Sequence, residues 1–181
     1  MKHVFLTWEE CKTAYQIGKV RQIRNEATGG IDIKIDPDRD SIELHMQGMG
    51  GEMAFAKMVN CYPSFATRPR RGGCDFEDSE GLSIDVKRVY HATPGIMTPL
   101  HKAEHPCDIY ILLNGKISWP IPDTTTYIAR YDLIGWIRGA EFLTEENKRN
   151  LGHGDCFFVP GARLNPNLEE ILTWPIRALE G

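Results

Sequence analysis

The chain has 181 residues, 41% hydrophobic and 25% charged, with a formal net charge of -4. That length and composition suit one globular domain with a hydrophobic core, and the acidic balance excludes a protein that binds nucleic acid through overall charge. No apolar run is long enough to span a bilayer, and the N-terminus turns acidic at Glu9-Glu10, too early for a signal peptide. The expectation is a soluble, cytoplasmic protein without a membrane segment. Five scattered cysteines, Cys11, Cys61, Cys74, Cys107 and Cys156, form no C-x-x-C pair. An odd number in that arrangement predicts free thiols in a reducing compartment.

In chain order, Thr7 to Glu26 reads as a helix opened by a Thr7/Glu10 capping box and ended at Ala27-Thr28-Gly29-Gly30. Ile31, Ile33 and Ile35 alternate with charged residues and predict a short strand or arm. Asp36-Pro37-Asp38-Arg39-Asp40 is a turn that lacks the glycine and distal glutamate of a calcium loop. Asp40 and Glu43 open a second helix, from Ser41 to about Asn60. Gly48, Gly50 and Gly51 weaken it by about 1 kcal/mol each and predict a kink or close backbone packing. Glu52 follows on a face shared with Phe55, Ala56 and Val59. A carboxylate there reaches water at the helix rim or points at a partner such as a metal or Lys87, because burying it alone is costly.

Cys61 to Gly72 is a loop whose Arg68-Pro69-Arg70-Arg71 run forms the clearest basic patch. Strands are expected near Gly73–Glu77 and Leu82–Tyr90, as a hairpin around Asp78-Ser79-Glu80-Gly81. In the second strand Leu82, Ile84 and Val86 fall on one face, and Ser83, Asp85 and Lys87 on the other. Further strands are expected at Cys107–Leu113, ending in an Asn114-Gly115 hairpin turn, within Tyr127–Arg138, and at Cys156–Pro160. Short helices are expected at Thr144–Asn150 and Asn167–Trp174. Helices first and strands after argue for an α+β fold, a mixed or antiparallel sheet with helices mainly on one face. The chain divides into a helical part, 1–60, and a sheet core, 73–138, within a single domain.

The chemistry is concentrated in Glu52, Asp75, Asp85 and Lys87. Phosphodiester hydrolysis needs a cation against the growing charge, an activated water and a stabilised leaving oxygen. Mg²⁺ takes oxygen ligands and keeps several waters, so two carboxylates and a substrate phosphate suffice. Asp75 and Asp85 can supply them, with the Val86 carbonyl as a third ligand and Glu52 as a further acid. Lys87, on the same face, can orient or deprotonate the water. Two other sets are weaker. His101, His105 and Cys107 have one spacing compatible with zinc, but Pro106 interrupts it. Cys74, beside Asp75 and Arg71, is a candidate nucleophile without a nearby His–Asp pair.

The order of these motifs resembles the PD-(D/E)xK nuclease superfamily, in particular small phage-encoded members of it. The matching features are Ile17-Gly18-x-x-Arg21, Gly48-x-x-Gly51-Glu52-x-Ala54-x-Ala56, Gly73-x-Asp75-Phe76, Ile84-Asp85-Val86-Lys87, Asp108-Ile109-Tyr110 and Ile134-Gly135-Trp136. The resemblance implies a restriction-endonuclease-like core, a central mixed β-sheet flanked by helices. It also implies Mg²⁺-dependent cleavage of DNA (Mn²⁺ substituting), with Glu52, Asp75, Asp85 and Lys87 as the active-site set. Arg68, Arg70 and Arg71 would then hold DNA phosphates. A phage-encoded member would work in the host cell cytoplasm. Cys74 stands where the superfamily has Pro, and Asp85 where Glu is commoner. Monomer and homodimer both remain open. The alternatives are a catalytically silent nuclease-like fold that binds nucleic acid or protein, and a structural or host-interaction protein.

Overall fold

The computed structural model describes residues 2–29, 40–67, 73–152 and 154–179. The strand or arm expected at 31–36, the turn at 36–40 up to its last residue, and the basic run Arg68–Arg71 lie outside them.

Strand β1 (His3–Leu6) leads into helix α1 (Trp8–Ala27). Both halves of the expected capping box are present: the Glu10 N–H donates to Thr7 Oγ1 at 3.3 Å, and the Thr7 N–H to Glu10 Oε2 at 2.6 Å. Helix α2 (Ser41–Met58) opens on Asp40, whose Oδ1 accepts the Ile42 and Glu43 N–H groups at 2.7 and 3.4 Å. The two helices cross closely at Gly18, where a Cβ would stand 2.6 Å from the backbone nitrogen of Met46. Two of the three glycines in α2 serve close packing as expected. A Cβ on Gly50 would strike Ile117 and the Tyr131 hydroxyl, and one on Gly51 would lie 3.1 Å from Arg88 Cβ; Gly48 has open space instead. Gln47, fully buried, ties α2 to the loop after β5 by exchanging two hydrogen bonds with the Ile117 backbone, at 2.6 and 3.1 Å.

The strands are β2 (Phe76–Glu77), β3 (Ser83–Val89), β4 (Gly95–Pro99), β5 (Ile109–Gly115), β6 (Ala129–Arg138), β7 (Lys148–Asn150), β8 (Asp155–Pro160) and β9 (Arg177–Ala178), with the one-turn helix α3 (Gly139–Phe142) after β6. They form two sheets, one of six strands in the order β1-β6-β5-β3-β2-β9 and one of three in the order β4-β8-β7. In the large sheet β3 and β5 run parallel and every other pair is antiparallel, so the sheet is mixed. The connection from β3 to β5 passes through β4 and a 3₁₀ turn at Leu100–Ala103, which places the small sheet beside the large one.

Two cores follow. Helices α1 and α2 cover one face, packing Ala14, Met46, Met49 and Phe55 against Ile84, Ile109, Ile111 and Leu113. The other face carries Tyr110 and Leu112, covered by Ile96, Phe142, Phe157, Val159 and Leu164. The α+β class and the one-sided helices agree with the expectation; the second covering layer of strands was not foreseen. Local details differ for physical reasons. Asn114-Gly115 continues β5 rather than turning, because both residues pair with β6, opposite Asp132 and Tyr131. Thr144–Asn150 is a 3₁₀ turn followed by β7, since Lys148–Asn150 finds β8 as a partner. The terminal helix shrinks to a 3₁₀ turn, Leu168–Glu170, with Asn167 accepting the Glu169 N–H. Among the described residues no helix is long and apolar enough to cross a membrane.

Candidate active site on the β2–β3 hairpin

The hairpin that carries the candidate site is organised by a third aspartate, Asp78. It is 2% exposed; its Oδ1 accepts the Glu80 and Leu82 N–H groups, both at 2.9 Å, and its Oδ2 the Thr173 N–H at 3.1 Å. Gly81, at a φ of 86°, closes the turn in a conformation that favours glycine. Strand β3 then alternates as its residue types require. Ile84 is fully buried under the helices, with Leu82 and Val86 packed beside it. Asp85 and Lys87 point to the opposite face, where parallel pairing sets Asp85 level with Tyr110 and Lys87 level with Leu112.

That face is not solvated. Asp85 is 2% exposed and Asp75 8% exposed, so two carboxylates occupy a region where an unpaired charge is expensive. Asp75 sits one residue ahead of β2. Its N–H donates to Ile84 O at 2.7 Å and its carbonyl accepts the Leu179 N–H at 2.9 Å, while its carboxylate Oδ2 accepts the Val86 N–H at 2.8 Å. Backbone on both sides thus fixes the direction of this carboxylate. The Asp85 Oδ2 is fully enclosed and accepts no well-aligned hydrogen bond, and its counter-ion is the Lys87 ammonium at 2.5 Å. Burial pulls the Lys87 ammonium towards losing its proton. The Asp85 carboxylate, then Asp75 and Tyr110, more than offset that, so its pKa lies above the ordinary lysine value. Lys87 is therefore a fixed cation at neutral pH.

Tyr110, which the sequence offered only as part of the Asp108-Ile109-Tyr110 motif, packs in this layer. Its hydroxyl accepts the Cys107 N–H at 3.2 Å, and burial, the largest influence, raises its pKa. Asp108 ties the start of β5 to the start of β3, accepting Ser83 N–H and Oγ–H at 2.8 and 2.7 Å. Those bonds, the hydroxyl first, hold its carboxyl below the usual carboxylate range.

Glu52 is buried at 7% exposure rather than lying at a wet helix rim. Arg21 of α1 holds it with a two-pronged contact at 2.9 and 3.2 Å, and donates also to Ala66 O. Arg21 appeared in the sequence only as part of a helical motif. Among the described residues no three His, Cys, Asp or Glu side chains group as a metal cluster, so Glu52 does not join Asp75 and Asp85 in one.

The free-thiol expectation is corrected: Cys74 and Cys107 form a disulfide across 33 residues of chain, leaving Cys11, Cys61 and Cys156 free. Their partnership is a product of tertiary packing and has no signature in local spacing. It removes Cys74 as a nucleophile and Cys107 from any zinc set with His101 and His105, which lie in and just after the exposed 3₁₀ turn. Trp136 is half-buried against the helix-side core and donates its indole N–H to Asn167 O at 2.7 Å.

No family model, curated protein or solved structure matches the chain.

Proposed function

We propose that this chain is a Mg²⁺-dependent deoxyribonuclease with a restriction-endonuclease-like core, as the motif resemblance implies. The observation that carries the reading is the buried pair Asp75 and Asp85, delivered by one hairpin, with Lys87 on the same face of β3. The parallel β3–β5 pair inside a mixed sheet, with two helices over one face, supports the core assignment.

The donor set fits a hard divalent cation. Both side chains offer oxygen, and the enclosed Asp85 Oδ2 has an ammonium as its neighbour, a position where positive charge is already favoured. Asp75, Asp85 and the Val86 carbonyl would hold Mg²⁺, which supplies charge stabilisation at the scissile phosphate and lowers the pKa of a bound water. The chain's own residues do the rest. The Val86 N–H orients Asp75. Lys87, charged at neutral pH, donates to the attacking water or to a phosphate oxygen and aligns it. Tyr110 and Leu112 form the floor that limits water around these groups. Glu52 is the helix-borne acid, held in place by Arg21. Arg68, Arg70 and Arg71 are proposed to contact DNA phosphates.

The silent, binding-only reading draws on the same Lys87–Asp85 pair, since that contact neutralises the site internally. Calorimetric titration of Mn²⁺ into the wild type and Asp85→Asn separates the two, followed by cleavage of linear, nicked and branched DNA. The nuclease reading expects metal binding lost in Asp85→Asn, and cleavage lost in both Asp85→Asn and Lys87→Ala with the fold intact. Unchanged turnover in either variant refutes it.

A further inference from the structure

Lys102 lies in the 3₁₀ turn Leu100–Ala103, far from the hairpin in sequence. Its ammonium reaches Gly73 O at 3.3 Å, two residues before Asp75. It lies where a Cβ on Gly73 would stand, and Gly73 has a φ of 71°, a conformation that favours glycine. The same loop is anchored again at its far end, where Cys107 is bonded to Cys74. The segment 73–75 is therefore gripped by the loop 100–107 at two neighbouring points.

The charge at this grip is unbalanced. Lys102 is half-buried, its one described acceptor is a backbone carbonyl, and among the described residues no carboxylate lies within ion-pair distance of it. An ammonium carries three donors, so capacity remains after the Gly73 contact. His101 and His105, both exposed, flank it on the same loop. A cation with no counter-ion among the described residues, held two residues along the chain from Asp75, suits an anionic group such as a phosphate.

We infer that Lys102 binds a backbone phosphate of DNA next to the scissile one, making the loop 100–107 a wall of the substrate groove. The inference rests on the nuclease reading of Asp75 and Asp85. It assigns a substrate contact to a residue outside the hairpin and outside the arginine run.

The test is binding of a fluorescein-labelled DNA duplex of about 25 base pairs, a length that exceeds a single-module footprint, in Ca²⁺ across a salt series. Wild type, Lys102→Ala and Lys102→Arg are compared, with Mn²⁺ calorimetry on each. Lys102→Ala is expected to weaken binding by about three- to tenfold and to reduce the salt slope by about one, the signature of one lost phosphate contact. Lys102→Arg is expected to restore both, and Mn²⁺ affinity to stay within twofold of wild type by the ~0.4 kcal/mol that such a ratio represents. A Lys102→Ala slope equal to the wild type overturns the inference, even if affinity falls, because lost folding alone does not remove a counterion-release step. The nuclease reading fails separately, through wild-type protein that binds metal or DNA but cleaves none of the substrates.

Discussion

Replacing Cys74 and Cys107 together by alanine removes a cross-link that closes a loop across 33 residues. In the chain-entropy treatment, a loop of that size restricts the unfolded state by about 3.5–4 kcal/mol at 25 °C. Both cysteines are buried, at 7% and 1% exposure, so alanine adds no buried polar group and a small packing loss only. For a chain of this length each kcal/mol moves the unfolding midpoint by about 2–4 °C, which gives a fall of roughly 8–15 °C. Thermal unfolding followed by circular dichroism, without reductant, measures it. A thiol count on the same samples checks the premise. The wild type should show three reactive thiols before reduction and five after it, from the three free cysteines and the bonded pair. The count must be made on denatured protein, because burial raises the Cys11 thiol to about 12 and the Cys61 thiol to about 11. Five thiols before reduction, or a midpoint drop equivalent to less than about 1 kcal/mol, would refute the reasoning, since the chain-entropy treatment assigns about 3 kcal/mol even to a loop of about 15 residues.

Two further outcomes follow from the same geometry. Arg21→Gln leaves the buried Glu52 carboxylate without its two-pronged partner; with side chains 17% and 10% exposed, the expected destabilisation in urea unfolding is about 2–4 kcal/mol, below the fully buried case. A loss under about 0.5 kcal/mol, typical of a surface pair, would show that Arg21 does not hold Glu52. Ser83→Ala tests Asp108. Because the folded carboxyl titrates below its unfolded value, the bond's stabilisation is present above about pH 4 and vanishes as pH falls through the folded pKa. The midpoint difference between wild type and Ser83→Ala should therefore be level from pH 5 to 8 and shrink below pH 4; a constant difference down to pH 2 would rule out the linkage.

The parts of this molecule that read correctly from sequence are those encoded by neighbours a few residues apart. The Thr7–Glu10 box, the Asp40 cap and the two-residue alternation of Leu82, Ile84 and Val86 are such signals. So is the hairpin that brings Asp75, Asp85 and Lys87 near one another. What escaped notice depends on distant partners. Strand β9 has two residues and β1 has four, too short for a periodic signal, and they exist because another strand lies alongside. The burial of Asp85 follows from the layer built by Ile96, Phe157 and Val159, which the alternation in β3 could not reveal. Arg21 on Glu52, Lys102 on Gly73 and Cys74 on Cys107 are likewise meetings made by topology.

Strand β9 holds a further consequence. Arg177 and Ala178 pair with β2, and the Leu179 N–H closes on the carbonyl of Asp75 itself. During synthesis the hairpin emerges long before that clasp exists. The backbone clasp on Asp75 from its far side therefore forms only after residue 179 has cleared the ribosome, whereas the Val86 N–H that orients its carboxylate is already in the hairpin.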